Sequence, residues 1–230
     1  MTRLDPQRHL LLFDPQVFDK TRIDVVGCGA VGSHLAMEIA KLGVHNLHLW
    51  DGDTIESHNI ANQLYGLPDI GRLKVVALAE HIGVATGLTV TVHPQRLEKE
   101  TPLGKAVFLA VHTMMARRII FTSSLHLKLT TDLVIDTRMG AEELRVYGFN
   151  PCDRTQVTAW VATLSDDNKT VEGVCRTRTT VGATAGITAC LAVHRFLQWY
   201  RRDVVRDVKH TVDPPFEQVM MLRPLITMVT

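Results

Sequence analysis

The chain has 230 residues, 46% of them hydrophobic and 21% charged, and a formal net charge of +1. That length fits a single domain, spanning 1–230, whose core needs no disulfide staples. The near-neutral balance excludes a dedicated nucleic-acid binder, and no apolar run approaches the roughly 20 residues of a membrane span, so neither nucleic acid nor membrane is expected as a partner.

Residues 1–20, with Pro6 and Pro15, read as a short helix or an arm lying on the domain. Ile23-Asp24-Val25-Val26 is a short buried strand that runs into Gly27-Cys28-Gly29-Ala30-Val31-Gly32. Leu35, Ile39 and Leu42 recur at helical spacing over residues 33–42, and Gly43 ends that helix. Residues 46–50 form the next strand, which closes on Asp51, and a polar loop covers 52–72. Further helices are expected at 74–85 and 115–124, and strands at 89–92, 105–111 and 133–136. Residues 143–149 and 157–164 read as antiparallel strands, and 181–199 as a buried helix. The tail, 205–230, carries Pro214, Pro215 and Pro224 and is read as strand or coil. Strand–helix alternation in the first half predicts an α/β, Rossmann-like, mostly parallel sheet with helices on both faces, turning mixed toward the C-terminus.

GCGAVG matches GxGxxG between a strand and a helix. Gly27 permits the tight turn, Gly29 lets backbone approach a phosphate, and Gly32 lets the helix pack closely. The helix start offers unpaired N–H groups to an anion. Asp51, about 20 residues on at the end of the next strand, is placed to bind ribose hydroxyls. These features point to a nucleotide without choosing among NAD, S-adenosylmethionine and ATP.

The following loop narrows the choice. Residues 49–63, LWDGDTIESHNIANQ, with Gly71-Arg72-Leu73-Lys74 beyond, resemble the ThiF/MoeB/HesA (ubiquitin-activating-enzyme-like) superfamily. The wording HNIANQ is similar to a phage- and plasmid-associated ThiF-like branch. The resemblance implies an ATP- and Mg2+-dependent adenylyltransferase that activates a carboxylate, either a protein C-terminus or a small acid, and works as a homodimer. It implies that Asp51 and Asp53 sit at the nucleotide, that Asn59, Asn62 and Gln63 line its site, and that Lys74 neutralises the triphosphate. Arg8 resembles an N-terminal arginine that reaches the neighbouring subunit's nucleotide.

Two positions depart from the family pattern. Asn62 stands where the family has arginine, which removes a forked cation. Thr113, beside His112, stands where it has a magnesium-holding aspartate. Asp136 and Arg138 follow a strand and offer a replacement, Asp136 for the metal and Arg138 for the lost arginine. A structural salt bridge at the strand end is the other reading. The rival function is a non-catalytic nucleotide- or partner-binding protein of the same fold; an NAD-dependent oxidoreductase is a third, against which the HNIANQ loop weighs.

Cys28, Cys152, Cys175 and Cys190 make no CxxC pair, which argues against structural zinc and a disulfide framework. No signal peptide opens the sequence, so the cytoplasm is the expected compartment. Cys175-Arg176-Thr177 resembles a loop motif whose cysteine takes a covalent link to a small carrier protein, and Arg176 and Arg178 would favour its thiolate. Cys28 and Cys190 read as packing residues. Arg195, Arg201, Arg202, Arg206 and Lys209 read as a solvated basic face at a helix end.

Overall fold

A computed structural model describes residues 4–140, 143–164, 181–206 and 215–221. The first half alternates as its pattern requires: β1 (Ile23–Val26), α1 (Ala30–Lys41), β2 (Leu47–Trp50), α2 (Lys74–Thr86), β3 (Thr91–His93) and β4 (Ala106–Leu109). There follow α3 (Met114–Ile120), β5 (Leu133–Met139), β6 (Glu143–Phe149), α4 (Arg154–Ala162), α5 (Gly182–Trp199) and β7 (Glu217–Met221). The seven strands form one sheet in the order β3-β2-β1-β4-β5-β6-β7. The first five are parallel, and β6 and β7 are antiparallel additions. The α/β, mostly parallel architecture is therefore as its sequence predicts.

Period-two alternation divides the strand residues between two cores. Val25, Leu49, Phe108 and Ile135 face α1, α2 and α5. Val26, Trp50, Leu109 and Val134 face the opposite layer, built from α3, the π-type turn Phe121–Leu125 that continues it, and α4. Both faces of the parallel strands are thus covered, which is why those strands read as unbroken apolar runs. No described helix is long and apolar enough to cross a membrane.

The N-terminal arm is tied down by aromatic packing. Phe13 and Phe18 are buried, and the Phe13 ring lies 4.7 Å from that of Tyr200 and 5.7 Å from that of Phe196. The backbone N–H of Asp14 donates to the Tyr200 hydroxyl at 3.1 Å.

Several expectations need correction. Residues 157–164 are not a strand. Asp153 caps a helix there, accepting the N–H groups of Thr155 and Gln156 at 2.9 and 3.1 Å, and Trp160 is driven into the core. Cys190 is exposed, because the buried stripe of α5 runs through Ala185, Ala189, Ala192 and Phe196 and leaves position 190 facing outward. Arg195 is no part of a solvated face: it is buried against Gly148. Lys209 and the Cys175-Arg176-Thr177 motif lie outside the described residues.

Candidate functional site at the carboxyl edge of the sheet

β1 lies between β2 and β4, whose connections leave the sheet in opposite directions. Such a switch point opens a crevice at the carboxyl ends of the strands, where ligands bind in open α/β folds. Here it is a cleft of about 1440 Å³. The glycine loop forms part of its wall. Gly27 has φ of +94°, and a Cβ on it would fall 2.6 Å from the Ala110 carbonyl oxygen. A Cβ on Gly32 would fall 1.8 Å from the Gly27 carbonyl oxygen, so both are glycines by steric demand. Gly29 differs: a Cβ there would meet nothing within 4 Å. Its missing side chain leaves room in the cleft, at the start of the twelve-residue helix α1.

Asp51 braces this loop. Its Oδ2 accepts the Cys28 N–H at 2.7 Å, and its Oδ1 accepts the Asp53 N–H at 2.8 Å. The Tyr65 hydroxyl donates to the Cys28 carbonyl at 2.7 Å and lies 3.3 Å from that of Lys74, linking the loop to the start of α2. Burial pushes the Cys28 thiol well up, with the Asp51 charge adding to it, so Cys28 is a packing group and not a nucleophile.

Lys74 is the first residue of α2, and its side chain is only 10% exposed. Its Nζ lies 3.3 Å from one carboxylate oxygen of Asp53, whose other oxygen accepts from Arg96 at 2.8 Å. Burial alone would raise the Asp53 carboxyl; the Arg96 hydrogen bond and the Lys74 charge outweigh it and hold the group below its ordinary value. Arg96 was not singled out in the sequence, where a lone arginine after β3 carries no signal. Asn59, Asn62 and Gln63 all line the cleft. The Asn59 Oδ1 accepts the Glu56 N–H at 2.9 Å, while the Gln63 Oε1 is buried without a partner.

Across the cleft, Arg138 lies over the Tyr147 ring at 4.3 Å and donates to the Thr163 carbonyl and hydroxyl at 3.0 and 2.9 Å. It lines the cleft, and Asp136 does not. The Asp136 carboxylate is fully buried and accepts from Arg117 Nε at 2.6 Å, Arg138 Nε at 2.8 Å and Trp160 Nε1 at 3.0 Å. A carboxylate so enclosed has no room for magnesium. Its expected metal role is withdrawn, and the salt-bridge reading replaces it. Arg117, which no sequence feature marked, also donates to the Thr137 and Thr113 carbonyls at 2.6 and 3.0 Å. Thr113 caps α3, accepting the Ala116 N–H at 3.1 Å. Arg8 is exposed and does not line the cleft. Among the described residues, no three His, Cys, Asp or Glu side chains gather in a way that would hold a metal.

The model of the ThiF family matches residues 14–223. Among curated proteins, the chain is 31% identical over 103 residues to the NEDD8-activating enzyme E1 catalytic subunit of Arabidopsis thaliana, covering 40% of this chain and 23% of that protein. It is 39% identical over 62 residues to the adenylyltransferase and sulfurtransferase uba4 of Aspergillus niger, covering 26% of this chain and 13% of that one. The matches thus span less than a quarter of these relatives' length. Among solved structures, PaaA superposes with a TM-score of 0.62 at 17% identity, over 94% of this chain and 65% of that one. E. coli MccB, crystallised with ATP, superposes with a TM-score of 0.60 at 12% identity, over 83% of this chain and 58% of that one. At such identities the superpositions establish the fold alone.

Proposed function

The chain belongs to the ThiF family, and from that membership we propose that it activates a carboxylate by adenylation, with ATP as the nucleotide. A carboxylate oxygen attacks the α-phosphorus of ATP; the bond to the bridging oxygen breaks, and pyrophosphate leaves with the electron pair. Such a reaction needs positioning and charge neutralisation more than proton transfer.

The observation that carries this reading is the convergence of Lys74, Arg96 and Arg138 on one cleft with an open glycine at its wall. Its volume, about 1440 Å³, exceeds the roughly 300–1,000 Å³ of a single-ligand pocket, which leaves room for a second reactant. In this reading Gly27, Gly29 and Gly32 shape the phosphate approach, and Asp51 holds the ribose while bracing the loop. Asn59, Asn62 and Gln63 line the phosphates, and the unpartnered Gln63 Oε1 suits a ligand hydroxyl or amine. Lys74 neutralises the triphosphate, and Arg138 faces the carboxylate. Magnesium binds proteins through one or two carboxylates besides substrate phosphates; Asp53, half-buried on the cleft wall, would hold it there only by giving up its pairing with Lys74 or Arg96 to the bound triphosphate. When bound there it would supply further neutralising charge. A cytoplasmic homodimer, with Arg8 reaching the partner's nucleotide and a small carrier protein or a small acid as substrate, completes the proposal.

ATP–pyrophosphate exchange tests it. With the right carboxylate, drawn from peptide C-termini and small acids, label should pass from pyrophosphate into ATP and be lost in Lys74→Ala. ATP with magnesium should also raise the melting temperature more than NAD does, and a larger NAD effect would sink the adenylation reading. Exchange absent with every acid, beside a retained ATP shift, would select the non-catalytic binder. Thr113, which serves here as a helix cap where the family has an aspartate, is what favours that second reading.

A further inference from the structure

At the sheet edge opposite the cleft, the amino end of β5 and the carboxyl end of β6 meet the last turns of α5. Between them lies a half-open cavity of about 250 Å³ lined by Leu133, Gly148, Phe149, Arg195 and Trp199, with Asp132, Arg202 and Asp203 also on its wall. That is smaller than the roughly 300–1,000 Å³ of sites for drug-sized molecules, a size that suits a small ion or a single functional group.

Arg195 dominates its chemistry. The residue is 6% exposed, and its guanidinium lies flat on Gly148, where a Cβ would come within 2.3 Å of Nε. It makes one hydrogen bond, from Nη2 to the Gly148 carbonyl at 3.2 Å, and Nε is buried without a partner. It forms no ion pair with any described residue. Arg117, the other buried arginine among the described residues, shares the Asp136 carboxylate with Arg138, and Arg195 has no such partner. The carboxylates on the wall are already engaged, Asp203 with Arg202 at 2.8 Å and Asp132 with Lys105 at 3.1 Å. A buried cation of this kind is costly unless something pairs with it. Burial accordingly lowers the Arg195 pKa to about 10.

We propose that this cavity is a second binding site, independent of the nucleotide cleft, in which the Arg195 fork receives a small oxyanion, a phosphate or carboxylate group. A planar fork with unused donors grips such a group bidentately.

The test is thermal melting of the full chain carrying Gly29→Val, which closes the glycine loop to phosphate. It is titrated separately with sodium phosphate and sodium acetate at fixed ionic strength, with sodium chloride as the control. The expected result is a saturable rise in melting temperature, larger with phosphate if the natural group is a phosphate and larger with acetate if it is a carboxylate. Adding Arg195→Met should raise the half-saturating concentration by about tenfold or more. Arg195→Lys, which keeps the charge without the fork, should fall between, and it carries the test if Arg195→Met does not fold. No saturable response beyond that of chloride overturns the proposal. So does a response that the Arg195 variants leave unchanged, which would make Arg195 a packing group on Gly148.

Discussion

Asp136 shows how one residue type at a plausible position takes its meaning from neighbours the sequence cannot place. It stands in the middle of β5, where that strand's parallel pairing with β4 ends, close to the edge where ligand-binding carboxylates gather, but three donors surround it. Arg117 is 19 residues away in sequence and Trp160 24, each on a different helix. Removing its charge leaves two buried guanidiniums facing each other. Asp136→Asn should therefore cost about 3–5 kcal/mol of folding stability, read from denaturant midpoints, with the nucleotide response of the folded fraction preserved. A variant of wild-type stability that had lost its magnesium dependence would restore the metal role. Gly27 and Gly32 were legible beforehand because their demands are local: a positive φ at one and steric clearance at both. Arg96 and Arg195 were not legible, since an arginine's role depends on which carboxylate it meets, or fails to meet, in space.

At the level of elements, local signals succeeded wherever strand and helix alternate, and failed at α4. Val157, Thr158, Trp160 and Val161 are β-branched or aromatic residues of the kind that favour a strand, while the Asp153 cap, a single residue, decides for helix. Helix starts were also set late: α1 begins at Ala30, directly on the glycine loop, and not at the first apolar repeat. The β2–β3 pair carries a feature that periodicity could not reveal. His48 Nδ1 and His93 Nε2 lie 3.0 Å apart across these strands, and His93 stacks on Trp50 at 3.6 Å. Burial lowers both imidazole pKa values, and the nearby Arg22 charge lowers them further. Both folded values thus lie below the unfolded one of about 6.5, and in that window the unfolded chain binds more protons. The stability from this pair is full above about pH 6.5 and falls away as pH drops through the lower folded values. Melting temperature followed between about pH 5 and 8 should show that slope, and His93→Gln should flatten it. An equal slope in the variant would assign the effect to other groups.

Across the whole molecule, the one sheet separates two apolar cores and two opposite edges, and the three tryptophans fall one to each region that matters. Trp50 lines the cleft at the carboxyl edge of the sheet, Trp160 is buried under α4, and Trp199 sits in the aromatic cluster of α5 and on the wall of the Arg195 cavity. Their distribution gives the protein three fluorophores with separate addresses. In variants that keep one tryptophan each, Trp50 emission should respond to ATP while Trp160 stays silent, and Trp199 should respond to the oxyanion. Under denaturant, Trp160 and Trp199 should report one common midpoint, because their two layers share every parallel strand between them and unfold as a cooperative unit. Separated midpoints would show that the layers come apart in turn. Emission spectra of this chain can thus follow cleft, back layer and rear cavity individually, without any added label.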